Sequence, residues 1–136
     1  INGHAVQTYC LESGQSLFDV TPLAQSLADC LRDQGYNFNA INCGGNEPLQ
    51  QEREQWSDGA NAFTLAPGKI INYARNKETT AALQQASYQQ IDAADFINNA
   101  ADHMADDRQL VITIASAELP RGRGGPRCLT LPLDRA

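Results

Sequence analysis

Apolar residues recur at every second position, or in short uninterrupted runs, in six segments of the chain. Such patterns predict β-strands. The strongest prediction is QLVITIA (109–115), and FTLAPGKIINYA (63–74) predicts two strands joined at Pro67-Gly68, a dipeptide that favours a tight turn. The alternation of Tyr36 and Phe38 before Gly44-Gly45 predicts a further short strand. That strand is 36–43, and the remaining predicted strands are 4–12 and 87–91.

Three other segments have the apolar spacing of an amphipathic helix. In TPLAQSLADCLRDQG (21–35), Thr21 can cap the first turn, Pro22 suits the first helical position, and Gly35 stands where the helix should stop. The residues expected on its apolar face are Leu23, Leu27, Cys30 and Leu31. The other predicted helices are 77–86 and 93–107, the second with Phe96, Ile97, Ala100, Ala101 and Met104 on one side.

The mixed order of these elements predicts an α/β (α+β) fold. A strand–helix–strand unit is followed by a hairpin and then twice by a helix and a strand. The polar segment 46–62, which holds the only tryptophan, clearly shows neither the alternation of a strand nor the apolar spacing of a helix. With 136 residues, no low-complexity tract and no clear linker, the chain is predicted to be a single domain, 1–136.

Composition narrows the class of protein. No apolar run approaches the roughly 20 residues that span a bilayer, and the first residues lack the pattern of a secretory signal. A net charge of -6 argues against nucleic acid as a partner. The four cysteines form no C-x-x-C pair, which favours reduced thiols in the cytoplasm over disulfides or a zinc site. We therefore expect a cytoplasmic protein without a metal or other cofactor; its cysteines are Cys10, Cys30, Cys43 and Cys128.

The stretch ELPRGRGGPRCLTLPL (118–133) gathers arginines and glycines around Cys128. The glycines let a ligand approach the main chain closely, and the arginines would favour the thiolate form of the cysteine. A strand edge formed by CLTL would hold the thiol rigidly, as a nucleophile requires. A solvated basic loop beside a buried thiol, or a phosphate- or RNA-binding segment, would look the same. The residues are Arg121, Arg123 and Arg127, with Gly122, Gly124 and Gly125.

Two blocks of this sequence resemble bacterial arginine deiminases. SAELPRGRGGPRCLTLPL (116–133) is similar to their C-terminal signature, in which S-x-E-L-x-R-G-R-G-G leads into the nucleophilic cysteine. Leu129 stands where that family usually has methionine. EREQWSDGANAFTLAPGKIINYARN (52–76) resembles the family's R-E-Q-W-x-D-G-x-N-x-L-x-I-A-P-G segment, and CGGNEPLQQ (43–51) resembles the Gly-Gly stretch before it. The match covers about residues 37–91 and 110–135, in the expected order.

The resemblance implies a fold, a reaction and roles for the matched residues. The fold would be an α/β propeller of strand–helix modules, of which this chain supplies the last one or two. Cys128 would attack the guanidinium carbon of L-arginine, and a covalent thiouronium would then be hydrolysed to L-citrulline. Arg123 would close over the amino-acid end of the substrate from a mobile loop, while Gly124 and Gly125 would let the backbone reach the substrate.

The base and most carboxylates of that family have no match in this chain. Arginine deiminases supply an H-x-D pair and two further acidic residues from earlier in a longer polypeptide. Here His4 is followed by Ala5, and His103 by Met104, so neither forms the pair. His103 is expected on the surface. The isolated chain is therefore expected to be inactive.

The other acidic residues are expected to serve structure. Glu54 and Asp58 flank Trp56, with Trp56 expected in the core and Asp58-Gly59 in a turn. Residues 92–109, which shorter members of the family lack, are expected to form a surface helix. The acidic residues predicted to form a solvated helix face there are Asp102, Asp106 and Asp107.

The resemblance also implies partners. These are L-arginine as substrate, the remaining N-terminal part of the same polypeptide, and further copies of the chain, because module edges would otherwise be exposed. A non-catalytic arginine- or guanidine-binding relative is the alternative, and L-arginine would stabilise it without forming citrulline. Peptidyl deimination or amidino transfer is a further chemical alternative.

Overall fold

A computed structural model describes residues 26–122, 124–131 and 133, and the chain divides into two units, 1–40 and 41–136. The predicted strand 4–12 and the expected start of the first helix lie outside the described residues, as do His4 and Arg123. The single domain stays a prediction.

The first unit contains one described helix, α1 (Leu27–Asp33), which begins later than predicted. Ser26 is extended, and its hydroxyl oxygen accepts a hydrogen bond from the Asp29 backbone N–H at 3.2 Å, so Ser26 caps the helix. Gly35 follows the helix with a φ of +87°, as its predicted role requires.

The predicted strand 36–43 is wrong. Residues 36–42 form no regular element, and 43–46 form a turn. Tyr36 and Phe38 are both exposed, and their rings stack on each other with centroids 5.9 Å apart. Alternation becomes a strand only beside a neighbouring strand, and no described strand pairs with this segment.

A four-stranded mixed sheet forms the core of the second unit and confirms the α/β prediction. Its strands are β1 (Phe63–Ala66), β2 (Lys69–Tyr73), β3 (Gln89–Asp92) and β4 (Leu110–Ile114), in the order β1-β2-β4-β3. β1 and β2 form the predicted antiparallel hairpin, whereas β2 and β3 both run parallel to β4. Because β4 is central and buried, four of its five residues are apolar, and the hydroxyl of the fifth, Thr113, donates to the Ile91 carbonyl.

Four helices surround this sheet: α2 (Pro48–Trp56), α3 (Lys77–Gln85), α4 (Ala93–Asn98) and α5 (Ala100–Ala105). α3 is as predicted, but α2 lies in the polar segment for which no element is predicted. The only buried residue of α2 is Glu54, so the helix lacks the apolar stripe from which a helix is predicted. The expectation that Trp56 is a core residue is wrong, since it is 62% exposed. No described helix has the length and apolar character needed to cross a membrane.

The segment 93–107 is helical, as predicted, but Asn99 divides it into two helices. Asn99 donates its side-chain amide to the carbonyl oxygen and carboxylate of Asp95, which competes with regular helical bonding. The apolar face is therefore only partly as expected: Phe96 packs on the sheet core, while Ile97 is 73% exposed. The expectation of a surface His103 is wrong, because it is buried and stacks on the Phe96 ring at 5.9 Å.

Asp106 is partly exposed and forms an ion pair with a buried lysine, rather than lying on a fully solvated helix face. Lys69 at the start of β2 is only 3% exposed, and its Nζ donates to the carbonyl oxygens of Asp106 at 2.7 Å and Arg108 at 3.0 Å. The Asp106 carboxylate lies 3.4 Å from the same Nζ and accepts hydrogen bonds from Arg108. A buried ammonium group requires such partners.

This arrangement predicts a loss of stability in acid. Hydrogen bonds from Arg108, and secondarily from Lys69, hold the pKa of Asp106 at about 2, below its ordinary 3.8. A depressed folded-state pKa contributes stability that is present above the ordinary pKa and lost as the pH falls through 2. Urea unfolding should therefore show that the free energy of unfolding falls less between pH 4.5 and pH 2 in Asp106→Asn than in the wild type, because the variant already lacks the charge. Asp107→Asn should keep the wild-type loss, and an identical loss in both variants would contradict the prediction.

Candidate active site

Cys128 lies in a short 3₁₀ helix, Pro126–Leu129, that packs against β1 and β2. The Cys128 N–H donates to the Gly125 carbonyl at 3.0 Å, and the thiol is exposed. The expected strand edge is therefore wrong. Pro126 has no N–H to donate to a sheet, which favours a turn over a ladder.

Asn61 is the nearest polar partner of the thiol, and sequence reasoning did not single it out. Its Nδ2 donates to the Cys128 Sγ at 3.0 Å. The Asn61 side chain also fills the space beside Gly125, where an added Cβ would lie 2.3 Å from Asn61 Cγ. Gly125 thus permits a close approach, as expected, but by a side chain of this chain. The sequence did contain a signal for Asn61, because this residue is the asparagine of the R-E-Q-W-x-D-G-x-N pattern.

A buried network holds Asn61 in place. Asp58 has a φ of +60°, and the Asn61 N–H donates to its carbonyl at 3.0 Å, which confirms the turn predicted at Asp58-Gly59. The Gly59 N–H donates to the Glu54 carbonyl at 2.7 Å. From the sheet, the fully buried Asn72 donates its Nδ2 to the Gly59 carbonyl at 2.9 Å. The position of Asn61 is therefore fixed by β2 and α2 together.

The carboxylate of Glu54 anchors this network from α2 and serves structure, as expected. It accepts hydrogen bonds from the backbone N–H groups of Glu78 at 2.8 Å and Thr79 at 2.7 Å, and from the Thr79 hydroxyl at 2.6 Å. These donors belong to the first turn of α3, whose own cap residue Asn76 supplies no side-chain cap. Glu54 thus caps α3 from a neighbouring helix.

Tyr73, the last residue of β2, reaches the cysteine loop from the sheet. It is fully buried, and its hydroxyl donates to the Gly124 carbonyl at 2.7 Å. Burial raises the pKa of Tyr73 above its ordinary value of 10, and the negative charges of Asp58 and Cys128 raise it further. The phenol therefore remains a neutral hydrogen-bond donor at neutral pH.

Two oxygen atoms beside this site accept no hydrogen bond from the described residues. Asp58 Oδ2 and Asn61 Oδ1 are buried, and no hydrogen bond reaches them from the described residues. Buried acceptors are normally satisfied, so these two are suited to a ligand rich in N–H groups. The exposed Arg121 is paired with Glu118 at 2.9 Å. In the described part of the chain, no group of three His, Cys, Asp or Glu side chains could hold a metal ion.

The three described cysteines, Cys30, Cys43 and Cys128, differ in accessibility. Burial raises the pKa of Cys43, the Glu54 charge adds to that rise, and a hydrogen bond from Thr79 opposes it. Cys30 is buried and Cys128 is exposed. His103 is not part of the site, since its contacts are with Phe96 and Asp95, the latter 3.5 Å from its Nε2.

The contact between Asn61 and Cys128 makes a direct prediction. Leucine at position 61 would keep the approximate volume but remove the N–H that stabilises a negatively charged sulfur. Asn61→Leu is therefore expected to slow alkylation of Cys128 by iodoacetamide at pH 7 by about fivefold to tenfold. Peptide mass spectrometry assigns the label, and Cys43 in the same sample serves as the internal reference. An unchanged rate at Cys128 would contradict the prediction.

Comparison with known proteins gives matches along most of the chain. A family model described as arginine deiminase matches residues 12–135. An arginine deiminase of Listeria monocytogenes serotype 4a is 35% identical over 130 residues, which cover 93% of this chain and 26% of the relative. The arginine deiminase of Mycoplasma capricolum is 41% identical over 82% of this chain and 23% of the relative. That of Latilactobacillus sakei is 34% identical over 98% of this chain and 28% of the relative. The chain thus spans about a quarter of the length of these relatives.

Proposed function

Because the chain belongs to the arginine deiminase family, we propose that it is part of an enzyme that hydrolyses L-arginine to L-citrulline and ammonia, with Cys128 as the nucleophile. The observation that carries the proposal is the exposed Cys128 thiol, whose sulfur accepts a hydrogen bond from Asn61 at 3.0 Å. The thiolate is the reactive form of cysteine, and an N–H donor stabilises its charge.

The reaction would proceed in two halves. The Cys128 thiolate attacks the guanidinium carbon and forms a C–S bond. A C–N bond then breaks, a general acid protonates the departing nitrogen, and ammonia leaves a thiouronium on the sulfur. In the second half a water adds to the same carbon and gives one proton to a base, and its second proton is released to solvent as the carbonyl forms. The C–S bond breaks, which regenerates the thiolate and leaves the ureido group of citrulline.

The free acceptors of the site support a guanidinium substrate. A guanidinium presents N–H donors in a fixed plane, and it binds best to oxygen acceptors placed around it. Asp58 Oδ2 and Asn61 Oδ1 are buried and lack donors among the described residues. In this proposal Gly124 and Gly125 line the approach to the thiol, and Arg123 closes over the amino-acid end of arginine.

The general acid and the other carboxylates would come from outside this sequence, which has no H-x-D pair. We therefore propose that the chain alone is inactive, and that it acts with the remaining N-terminal part of an α/β propeller or with further copies of itself. The Cys43 and Cys128 side chains are thiols, which is consistent with a cytoplasmic enzyme.

A pair of matched reagents tests the nucleophile and its substrate class without requiring turnover. Chloroacetamidine carries the positive charge and N–H groups of an amidinium, whereas chloroacetamide is neutral. After correction for their rates with free cysteine, Cys128 should react at least about fivefold faster with the amidine, because charge-assisted hydrogen bonds hold it at the site. Cys128→Ala should remove the label and Cys30→Ala should not. Equal corrected rates would overturn the guanidine-binding role.

Citrulline formation by the purified chain tests the second part of the proposal. The chain and its Cys128→Ala variant are both expected to form no citrulline from L-arginine. Robust turnover that Cys128→Ala abolishes would refute inactivity of the chain alone. It would assign proton transfer to His4, His103 or a second copy.

A further inference from the structure

We propose that Tyr73 is a positioning residue for Cys128: its hydroxyl holds the Gly124 carbonyl and thereby keeps Cys128 against Asn61. The inference rests on the proposed function, because it adds a residue to the site of the proposed nucleophile. Tyr73 touches no reacting atom in this assignment; it acts through the cysteine loop.

The connection from Tyr73 to the thiol is short. The Tyr73 hydroxyl donates to the Gly124 carbonyl at 2.7 Å, and the next residue, Gly125, accepts a hydrogen bond from the Cys128 N–H at 3.0 Å. The Cys128 sulfur in turn accepts from Asn61. Tyr73 and Asn61 therefore hold the two ends of the same five-residue segment, 124–128.

The loop has few other restraints near Gly124. A Cβ added at Gly124 would meet its nearest atoms, Leu119 O and Leu129 Cδ2, only at 3.9 and 4.0 Å, and one added at Gly122 would meet nothing within 4 Å. Distances near 4 Å at Gly124 are ordinary van der Waals contacts, which do not by themselves fix a conformationally free glycine backbone. The hydrogen bond from a fully buried side chain on β2 is the restraint that ties this part of the loop to the sheet.

The chemistry of the phenol fits this role. A buried tyrosine hydroxyl requires a hydrogen-bond partner, and the Gly124 carbonyl provides one. Phenylalanine would fill the same space in the sheet but could not donate. Tyr73→Phe therefore removes the restraint while it keeps the ring, and the variant is expected to fold.

Limited trypsin digestion measures the restraint on the loop. In Tyr73→Phe, cleavage after Arg121 and Arg127 should be about threefold to tenfold faster than in the wild type, as expected for the loss of one hydrogen bond. Cleavage after Arg108, which follows α5, should be unchanged. Tyr36→Phe, which removes the hydroxyl of an exposed tyrosine, should leave all sites unchanged. Equal acceleration at Arg108, or none in the loop, would overturn the proposal.

A double-mutant cycle on Cys128 alkylation separates positioning from a merely structural role. Tyr73→Phe should slow alkylation by iodoacetamide about threefold or more, because the thiol loses its contact with Asn61. Combined with Asn61→Leu, it should add almost nothing, since both changes remove the same contact. Additive effects, or a faster reaction in Tyr73→Phe, would overturn the proposal. None of these results depends on amidine preference or citrulline formation, so the failure of the proposed function is detected separately.

Discussion

Replacing Glu54 by alanine is expected to lower the free energy of unfolding of this chain by about 2 to 4 kcal/mol. The buried carboxylate accepts three hydrogen bonds, from the N–H groups of Glu78 and Thr79 and from the Thr79 hydroxyl. Alanine would leave these donors in the interior without an acceptor, and it would remove a negative charge from the N-terminus of α3. The penalty for buried unpaired donors exceeds the net value of the hydrogen bonds themselves.

Urea unfolding followed by circular dichroism measures this effect, and α2 supplies a matched control. Glu52 is exposed on the same helix and makes no hydrogen bond or ion pair with the described residues, so Glu52→Ala should change stability by less than about 0.5 kcal/mol. Glu54→Gln, which retains one acceptor oxygen, should fall between the two. Similar stabilities for Glu54→Ala and Glu52→Ala would show that Glu54 does not support α3.

Replacing Gly125 by alanine is expected to slow alkylation of Cys128 by iodoacetamide by about tenfold, at least as much as Asn61→Leu does. The new Cβ would lie 2.3 Å from Asn61 Cγ and 2.7 Å from Asn61 Nδ2, closer than any real contact. Either Asn61 rotates away or the cysteine turn moves outward, and both movements break the bond to Cys128. The backbone at Gly125 has a φ of −85°, which any residue adopts, so the effect is steric rather than conformational.

Gly122→Ala is the matched control for this experiment. It makes the same change in the same loop, but the added Cβ would meet no atom within 4 Å. The Cys128 alkylation rate should therefore be that of the wild type in Gly122→Ala. Equal rates in the two glycine variants would show that the packing of Asn61 against Gly125 does not control the thiol.

The sheet was predictable from sequence because its strands are local patterns. The hairpin needs only two apolar runs and Pro67-Gly68, and β4 is mostly apolar because it is the buried central strand. The wrong or missing predictions concern segments in which the pattern of apolar residues does not correspond to the packed element. Tyr36 and Phe38 alternate but pair with no described strand, and α2 buries a carboxylate in place of an apolar stripe.

Buried polar residues were the harder class to predict. Lys69 and His103 are polar types that usually lie on the surface, and only their neighbours in space, Asp106 beside Lys69 and Phe96 beside His103, accompany them in the interior. A one-dimensional pattern records whether a side chain is polar, but not whether a distant residue will satisfy its hydrogen bonds.

The family, the mixed α/β class and the choice of the cysteine with its glycines as the candidate site all follow from the sequence alone. These features lie in contiguous motifs, where residue type and spacing are sufficient. Only the tertiary structure decided how that cysteine is held. Asn61, Tyr73 and Glu54 act across separations of 67, 51 and 25 residues. Contacts of this kind exist only after β2, α2 and the cysteine loop have packed together, because hydrogen bonds require distances near 3 Å that no local spacing in the chain can specify.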